Sequence, residues 1–116
     1  MDATRVDATL SALADPARRG VVDLLKRGPR RAGDLASSLS MSAPAMSRHL
    51  RTLRKSGLVE ETHDGDDARV RLYRLREAPF RDLSRWLTEV EAFWQNQLGA
   101  FKAHAERTRA KSGKTK

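Results

Sequence analysis

The first 57 residues are chopped into short pieces. Asp15-Pro16, Gly28-Pro29, Ser42-Ala43-Pro44 and Gly57 recur at intervals that leave room for helices of only a few turns, because proline lacks the amide a helix interior needs and glycine favours the stop. Ahead of Asp15, the residues Val6, Leu10 and Leu13 step by four and three and make one apolar stripe on a first helix. Asp15 reads as an N-cap and Pro16 as the first helical residue of a second helix, ARRGVVDLLKR, which Gly28-Pro29 closes. A third helix covers about Ala32 to Leu39, with Leu35, Ala36 and Leu39 inward. Its start is weakly specified, since Arg30 or Arg31 stands where a hydroxyl or carboxylate would cap best. Ser40-Met41-Ser42 makes a tight polar turn, Ser42 caps the fourth helix, Pro44 falls in its first turn, and Gly57 ends it. Two short helices joined by so few residues form a helix-turn-helix.

Beyond Gly57 the pattern changes. LVEETH and RVRLYRL are rich in strand formers and flank DGDDA, a sequence suited to a tight loop, so a β-hairpin, or wing, is expected. From Phe80 to about Arg107, Leu83, Leu87, Val90, Trp94, Leu98, Phe101 and Ala105 step by 4, 3, 4, 4, 3 and 4, and Trp86 and Phe93 widen the stripe. A helix of roughly 27 residues, about 40 Å long, is more than one small domain can cover. Part of it should pack on a partner, and a second copy of the chain is the simplest one, met by Leu87, Trp94, Leu98 and Phe101 with Val6, Leu10 and Leu13. The expected fold is mainly α with a small β-hairpin. One domain spans residues 1–108, and 109–116, ending in KSGKTK, form a disordered basic tail.

The formal net charge is +8, and most of the excess lies before Leu58, where 11 basic residues face 5 acidic ones. The densest part is the fourth helix, with Arg48, Arg51, Arg54 and Lys55 in eight positions and no acid among them. At 100° per residue, Met46, Leu50 and Leu53 cluster on one side and Pro44, Arg48, Arg51, Thr52 and Lys55 on the other. One face packs and the other is basic and exposed. A solvated charged face would look similar on an isolated helix, but the helix and turn before it, the wing after it and the missing acidic partners at i±4 point to double-stranded DNA. The N-terminal half of such a helix meets base edges, so Arg48 is the candidate base reader, bidentate to guanine. Ser42, Ser47, Arg51, Thr52 and Lys55 are candidates for phosphate, and His49, beside the apolar face, for packing or a phosphate contact.

ALADPARRGVVDLL, GPRRAGDLASSLSMSAPAMSRHLRTLRKSGLVEE, RVRLYRL and a terminal helix containing FWQNQLGAF closely resemble the ArsR family of bacterial winged helix-turn-helix transcriptional repressors, over about Leu10 to Glu106. The resemblance implies a homodimer joined through its first and last helices, bound to a pseudo-palindromic operator and repressing transcription. Many relatives release DNA when a metal or another effector binds. Metal-sensing relatives commonly carry a cysteine pair or a His and carboxylate set on the last helix. Here there is no cysteine, and His104 and Glu106 lie on different faces of that helix. Relatives usually carry arginines near phosphate at the wing tip, where this chain has Asp64, Asp66 and Asp67, so Arg69 and Arg71 are the better wing contacts.

Other chemistries are set aside on their own terms. His49, His63 and His104 have no ligand spacing, so no metal and no cofactor are expected. DGDDARVRLYRL has its glycine at the second position and no glutamate at the twelfth, which a calcium loop needs. Ser47 and His49 diverge by about 200° on a helix and cannot act as a nucleophile pair, so no enzyme is expected. Without an apolar run of about 18 residues or a signal-like N-terminus, a soluble cytoplasmic protein is expected, with no membrane partner. Two alternatives stay open: a winged-helix interaction module that binds protein or RNA, and a repressor released by an unidentified small-molecule effector held in an apolar pocket at the dimer interface.

Overall fold

The computed structural model describes residues 3–65 and 67–114. In chain order the elements are α1 (Ala3–Leu13), α2 (Pro16–Leu25), α3 (Ala32–Ser38), α4 (Ala43–Lys55), β1 (Val59–Asp64), β2 (Asp67–Leu75) and α5 (Glu77–Lys114). They fall into two compact units, one ending at Leu83 and the other starting at Ser84, with the boundary inside α5.

Capping sets where the short helices begin. The Asp15 carboxylate accepts from the amides of Ala17 at 2.8 Å and Arg18 at 3.2 Å, satisfying two of the donors a helix start leaves unpaired. The Arg18 amide is the main cause that holds this carboxyl below its ordinary 3.8, against an opposing effect of burial. Ser42 Oγ accepts from the Ala45 amide at 3.2 Å and starts α4. Arg31 precedes α3 without any side-chain cap, the weakness its sequence implies. What holds that end is a backbone pair: Arg30 donates its amide to the Tyr73 carbonyl at 3.0 Å and accepts the Tyr73 amide at 2.8 Å, stitching the start of α3 to the wing.

The helix ends differ in how well residue type suits geometry. α2 stops at Leu25 rather than at Gly28, with Arg27 and Gly28 donating to the Leu24 and Leu25 carbonyls in a tightened last turn. α4 ends in a Schellman motif, in which Gly57 (φ 81°) donates to the Arg54 carbonyl and Leu58 to the Leu53 carbonyl, each at 3.0 Å. α3 ends in the same motif, with Ser40 donating to Ser37 and Met41 to Ala36. There the left-handed position is Ser40, at φ 53°, which carries a side chain where glycine fits best.

The first unit is built around one apolar cluster: Ala12 of α1, Val21 and Leu25 of α2, Leu35 and Ala36 of α3, Met46, Leu50 and Leu53 of α4, then Leu58 and Val59. Leu13, Leu39, Tyr73, Leu75 and Phe80 pack against its edge. Burying each Leu or Met of this kind is worth about 1.5–3 kcal/mol, and the three from α4 fix which face of that helix turns outward. Leu53→Ala would cost about 2–5 kcal/mol, because a fully buried site cannot collapse around the loss.

Val6, grouped by its spacing with the residues expected to meet a second copy, is instead buried within its own chain at 4 % exposure. Leu10 on the same helix is 41 % exposed and Leu13 half-buried. The stripe therefore splits, Val6 and Leu13 packing at home and Leu10 between them facing outward.

The hairpin is antiparallel, in register from Val59 opposite Leu75 to His63 opposite Arg71, then shifted so that Asp64 faces Asp67. Its core-side positions alternate as a pleated ribbon requires, with Val59 buried and Tyr73 and Leu75 half-buried.

α5 begins with an i,i+4 ion pair of Glu77 and Arg81. It ends at Lys114, not near Arg107, so 109–114, expected as a disordered tail, continue the helix, and Thr115 and Lys116 lie outside the described residues. The second unit consists of this helix from Ser84 onward. Among the described residues no helix is long and apolar enough to cross a membrane.

Candidate nucleic-acid interface

α4 is divided as the helical wheel requires. Met46, Leu50 and Leu53 are buried, while Ser42, Pro44, Ser47, Arg48, Arg51, Thr52 and Lys55 are exposed. Among the described residues Arg48, Arg51 and Lys55 have no acidic partner. Their charges are therefore uncompensated, which suits them to a polyanion. The hydroxyls differ in what they can offer. Ser42 Oγ acts as an acceptor at the cap, so its proton can still be donated outward. Thr52 donates to the Arg48 carbonyl at 3.3 Å and would have to release it to donate to phosphate.

Arg54, the remaining basic residue of α4, points to the wing instead. Its guanidinium lies 2.9 Å from Glu61 Oε1, the atom that also accepts from the Tyr73 hydroxyl at 3.2 Å. Burial, and then the Glu61 carboxylate, push the Tyr73 phenol above its ordinary range. This group ties the last turn of α4 to both strands. Beside it an open cleft of about 410 Å³ is lined by Arg51, Arg54, Lys55, Glu60, Glu61 and Arg76 over Val59. Glu60 holds Arg74 at 2.7 Å and faces Arg76 at 3.7 Å. Such a charged lining does not suit an apolar effector.

On the wing, Arg69 and Arg71 are both exposed. Arg69 is paired with Asp67, Nε to Oδ1 at 3.3 Å, so one of the acidic residues at the tip is partly neutralised by the arginine expected to contact DNA. Arg71 stands opposite His63. Asp66 lies outside the described residues.

His49 is half-buried and turned away from the basic face. Its Nδ1 lies 3.4 Å from the Arg18 guanidinium, which brings α4 against the start of α2. Sequence periodicity does not reveal what Arg18 and Arg19 do there. Arg18 Nε donates to the Ala12 carbonyl at 2.7 Å and Nη2 to Ser11 at 3.4 Å, while Arg19 Nη1 donates to Leu13 at 2.8 Å. Both arginines thus satisfy carbonyls that the end of α1 leaves unpaired. The DPARR pattern was the available signal, two arginines placed just after the corner between α1 and α2.

In the second unit, Leu87, Trp94, Leu98 and Phe101 line one face of α5 and are all exposed in the single chain, Phe101 at 72 %. Trp86 and Phe93 form an adjoining row, and the Phe93 and Trp94 rings meet edge to face with centroids 5.4 Å apart. Among the described residues no three His, Cys, Asp or Glu side chains gather as metal ligands would.

Short α3, a tight turn, α4 with an outward basic face and a following hairpin together make a winged helix-turn-helix. Residues 15–61, which hold its helices and turn, match the model of the bacterial regulatory protein, arsR family. The chain is 35 % identical to the HTH-type transcriptional regulator Rv2034 of Mycobacterium tuberculosis over 95 residues, 82 % of this chain and 83 % of that one. It is 33 % identical to the transcriptional repressor SdpR of Bacillus subtilis over 66 % of this chain and 81 % of that one. Its fold matches the homodimeric winged helix-turn-helix DNA-binding domain of Mb0332 from Mycobacterium bovis with a TM-score of 0.57, at 27 % identity over 82 % of each chain. The protein belongs to the ArsR family and is a transcriptional regulator of that family.

Proposed function

We propose that the protein is a repressor that binds a pseudo-palindromic operator as a homodimer. The observation that carries this is the outer face of α4, where Arg48, Arg51 and Lys55 have no acidic partner among the described residues while the opposite face is locked into the core. Arg48, in the N-terminal half of the helix, reads a base, and Ser42, Ser47, Arg51, Thr52, Lys55, Arg69 and Arg71 hold the backbone around it. Dimerisation is supported by the exposed apolar stripe of α5 and by Leu10 of α1, and repression by the likeness to SdpR.

The test is to select duplexes from a random pool with the purified protein. The selected sequence is then competed against random DNA at fixed salt, since affinities without stated salt are not comparable. A two-fold symmetric site preferred by several powers of ten is expected. Equal affinity for selected and random duplexes would overturn the assignment and favour a module that binds protein or RNA.

A further inference from the structure

We propose that Arg18 is a positioning residue for DNA reading: its guanidinium locks the end of α1 to His49 and so sets the pose of the neighbouring Arg48 without touching DNA. This rests on α4 being the DNA-reading helix. One planar group touches three elements: the Ala12 and Ser11 carbonyls of α1, the N-cap Asp15 of α2, 4.0 Å from Nη1, and His49 Nδ1 of α4. The Arg18 side chain is only 18 % exposed, so water competes weakly for these contacts.

The chemistry fixes the direction of the link. An arginine N–H can only donate, so Nδ1 of His49 accepts and the ring proton sits on Nε2. The guanidinium fork is rigid, and with Nε committed to α1 the direction of Nη1 is set. His49 lies between Arg48, which faces outward, and Leu50, which is buried in the core. Apolar packing of Met46, Leu50 and Leu53 fixes which face of α4 turns outward, and a directional contact at His49 adds a restraint on the finer setting of the helix about its axis. A hydrogen bond from a fixed donor to a ring nitrogen on α4 resists rotation about that axis, and the same rotation would swing Arg48 off its base. Because α1 also carries the exposed Leu10, the link runs from a helix proposed to face the partner copy to the helix that reads DNA.

The experiment uses the full chain and compares affinity for a pool-selected duplex with affinity for random duplex, at several salt concentrations. Two variants break the link from either side. His49→Leu removes the acceptor while leaving the α1 contacts intact, and Arg18→Gln removes the guanidinium. Each should lower the selected-to-random ratio about tenfold, the scale of one hydrogen bond to a charged group, with the salt slope unchanged. The double variant should be no worse than the weaker single one. His49→Asn, whose Oδ1 can occupy the place of Nδ1, should restore most of the ratio.

An unchanged ratio in His49→Leu, losses that multiply in the double variant, or equal loss on both duplexes with an altered salt slope would each overturn the proposal. The last outcome would make these residues phosphate contacts. Thermal unfolding followed by circular dichroism separates misfolding of Arg18→Gln from loss of the link, and His49→Leu tests the link even if Arg18→Gln is destabilised. A parent protein with no duplex preference would instead refute the DNA-reading assignment, and this proposal with it.

Discussion

Placing glutamate at both Leu98 and Phe101 should convert a dimer to monomers. In the single chain these side chains are 60 % and 72 % exposed, on the same face of α5 as Leu87 and Trp94. A covered aromatic side chain buries about 150–250 Å², so at about 25 cal/mol per Å² the exposed share of Phe101 corresponds to about 3–4 kcal/mol. Leu98, scaled in the same way from the burial of a whole leucine, adds about 1–2 kcal/mol. Two copies double the sum. If the partner covers only half of the exposed area, about 4–6 kcal/mol is still lost, which weakens dimerisation by three to four powers of ten. Desolvation of the new carboxylates adds to the loss. The helical circular dichroism signal should persist, since neither position is buried in the single chain. Sedimentation and titration of the selected operator, on one preparation, provide the measurement. The expected monomer binds half-sites weakly, because the second contact is no longer intramolecular with half-sites roughly 34 Å apart. A variant that stays dimeric, or a monomer that binds the full operator as tightly as the parent, would show that the stripe serves another purpose.

Three further outcomes follow from the local geometry. Arg48→Ala should cost about 1–3 kcal/mol on the selected operator and flatten preference at one position of each half-site, while Lys55→Ala weakens all sequences alike and lowers the salt slope by about one; competition titrations distinguish the two. At the two left-handed helix ends opposite signs are expected, since Ser40→Gly relieves a strained side chain and Gly57→Ala creates one, each by about 1 kcal/mol in urea unfolding. Asp15 has a depressed carboxyl in the folded chain, so its contribution is complete above the unfolded value of 3.8 and is lost as pH falls through the lower folded value; in acid unfolding, Asp15→Asn should remove part of the pH dependence in that window.

Much of this architecture was legible because it depends on local chemistry. Asp15-Pro16 and Ser42 start helices by their own side chains, Gly57 ends one by its backbone freedom, and Met46, Leu50 and Leu53 repeat at the helical period. The outer face of α4 follows from that period, since whatever is not buried must face water. Contacts made at a distance left no periodic trace. The Arg30 and Tyr73 bridge uses only backbone, 43 residues apart, and nothing about GPRR suggests a strand partner. Arg18 and Arg19 act on carbonyls six residues earlier, across a corner whose angle the sequence does not display. The end of α5 escapes the periodic signal because the apolar stripe stops at Ala105, while Arg107, Arg109, Ala110 and Lys111 after it are good helix formers that need no stripe to continue. Val6 shares the spacing of Leu10, and only the packing of its own chain distinguishes them.

The two-sidedness of α4 also bears on how such a regulator could change its target over generations. Met46, Leu50 and Leu53 carry the stability of the helix, and Ser47, Arg48, Arg51 and Lys55 contribute nothing to the core. Surface substitutions of this kind shift stability by only about half a kcal/mol. Mutational drift can therefore sample new outward-facing residues, and with them new operators, without passing through unfolded intermediates. His49 is the exception on that helix. Committed to Arg18, it is the position at which a search for new specificity would first meet a structural veto.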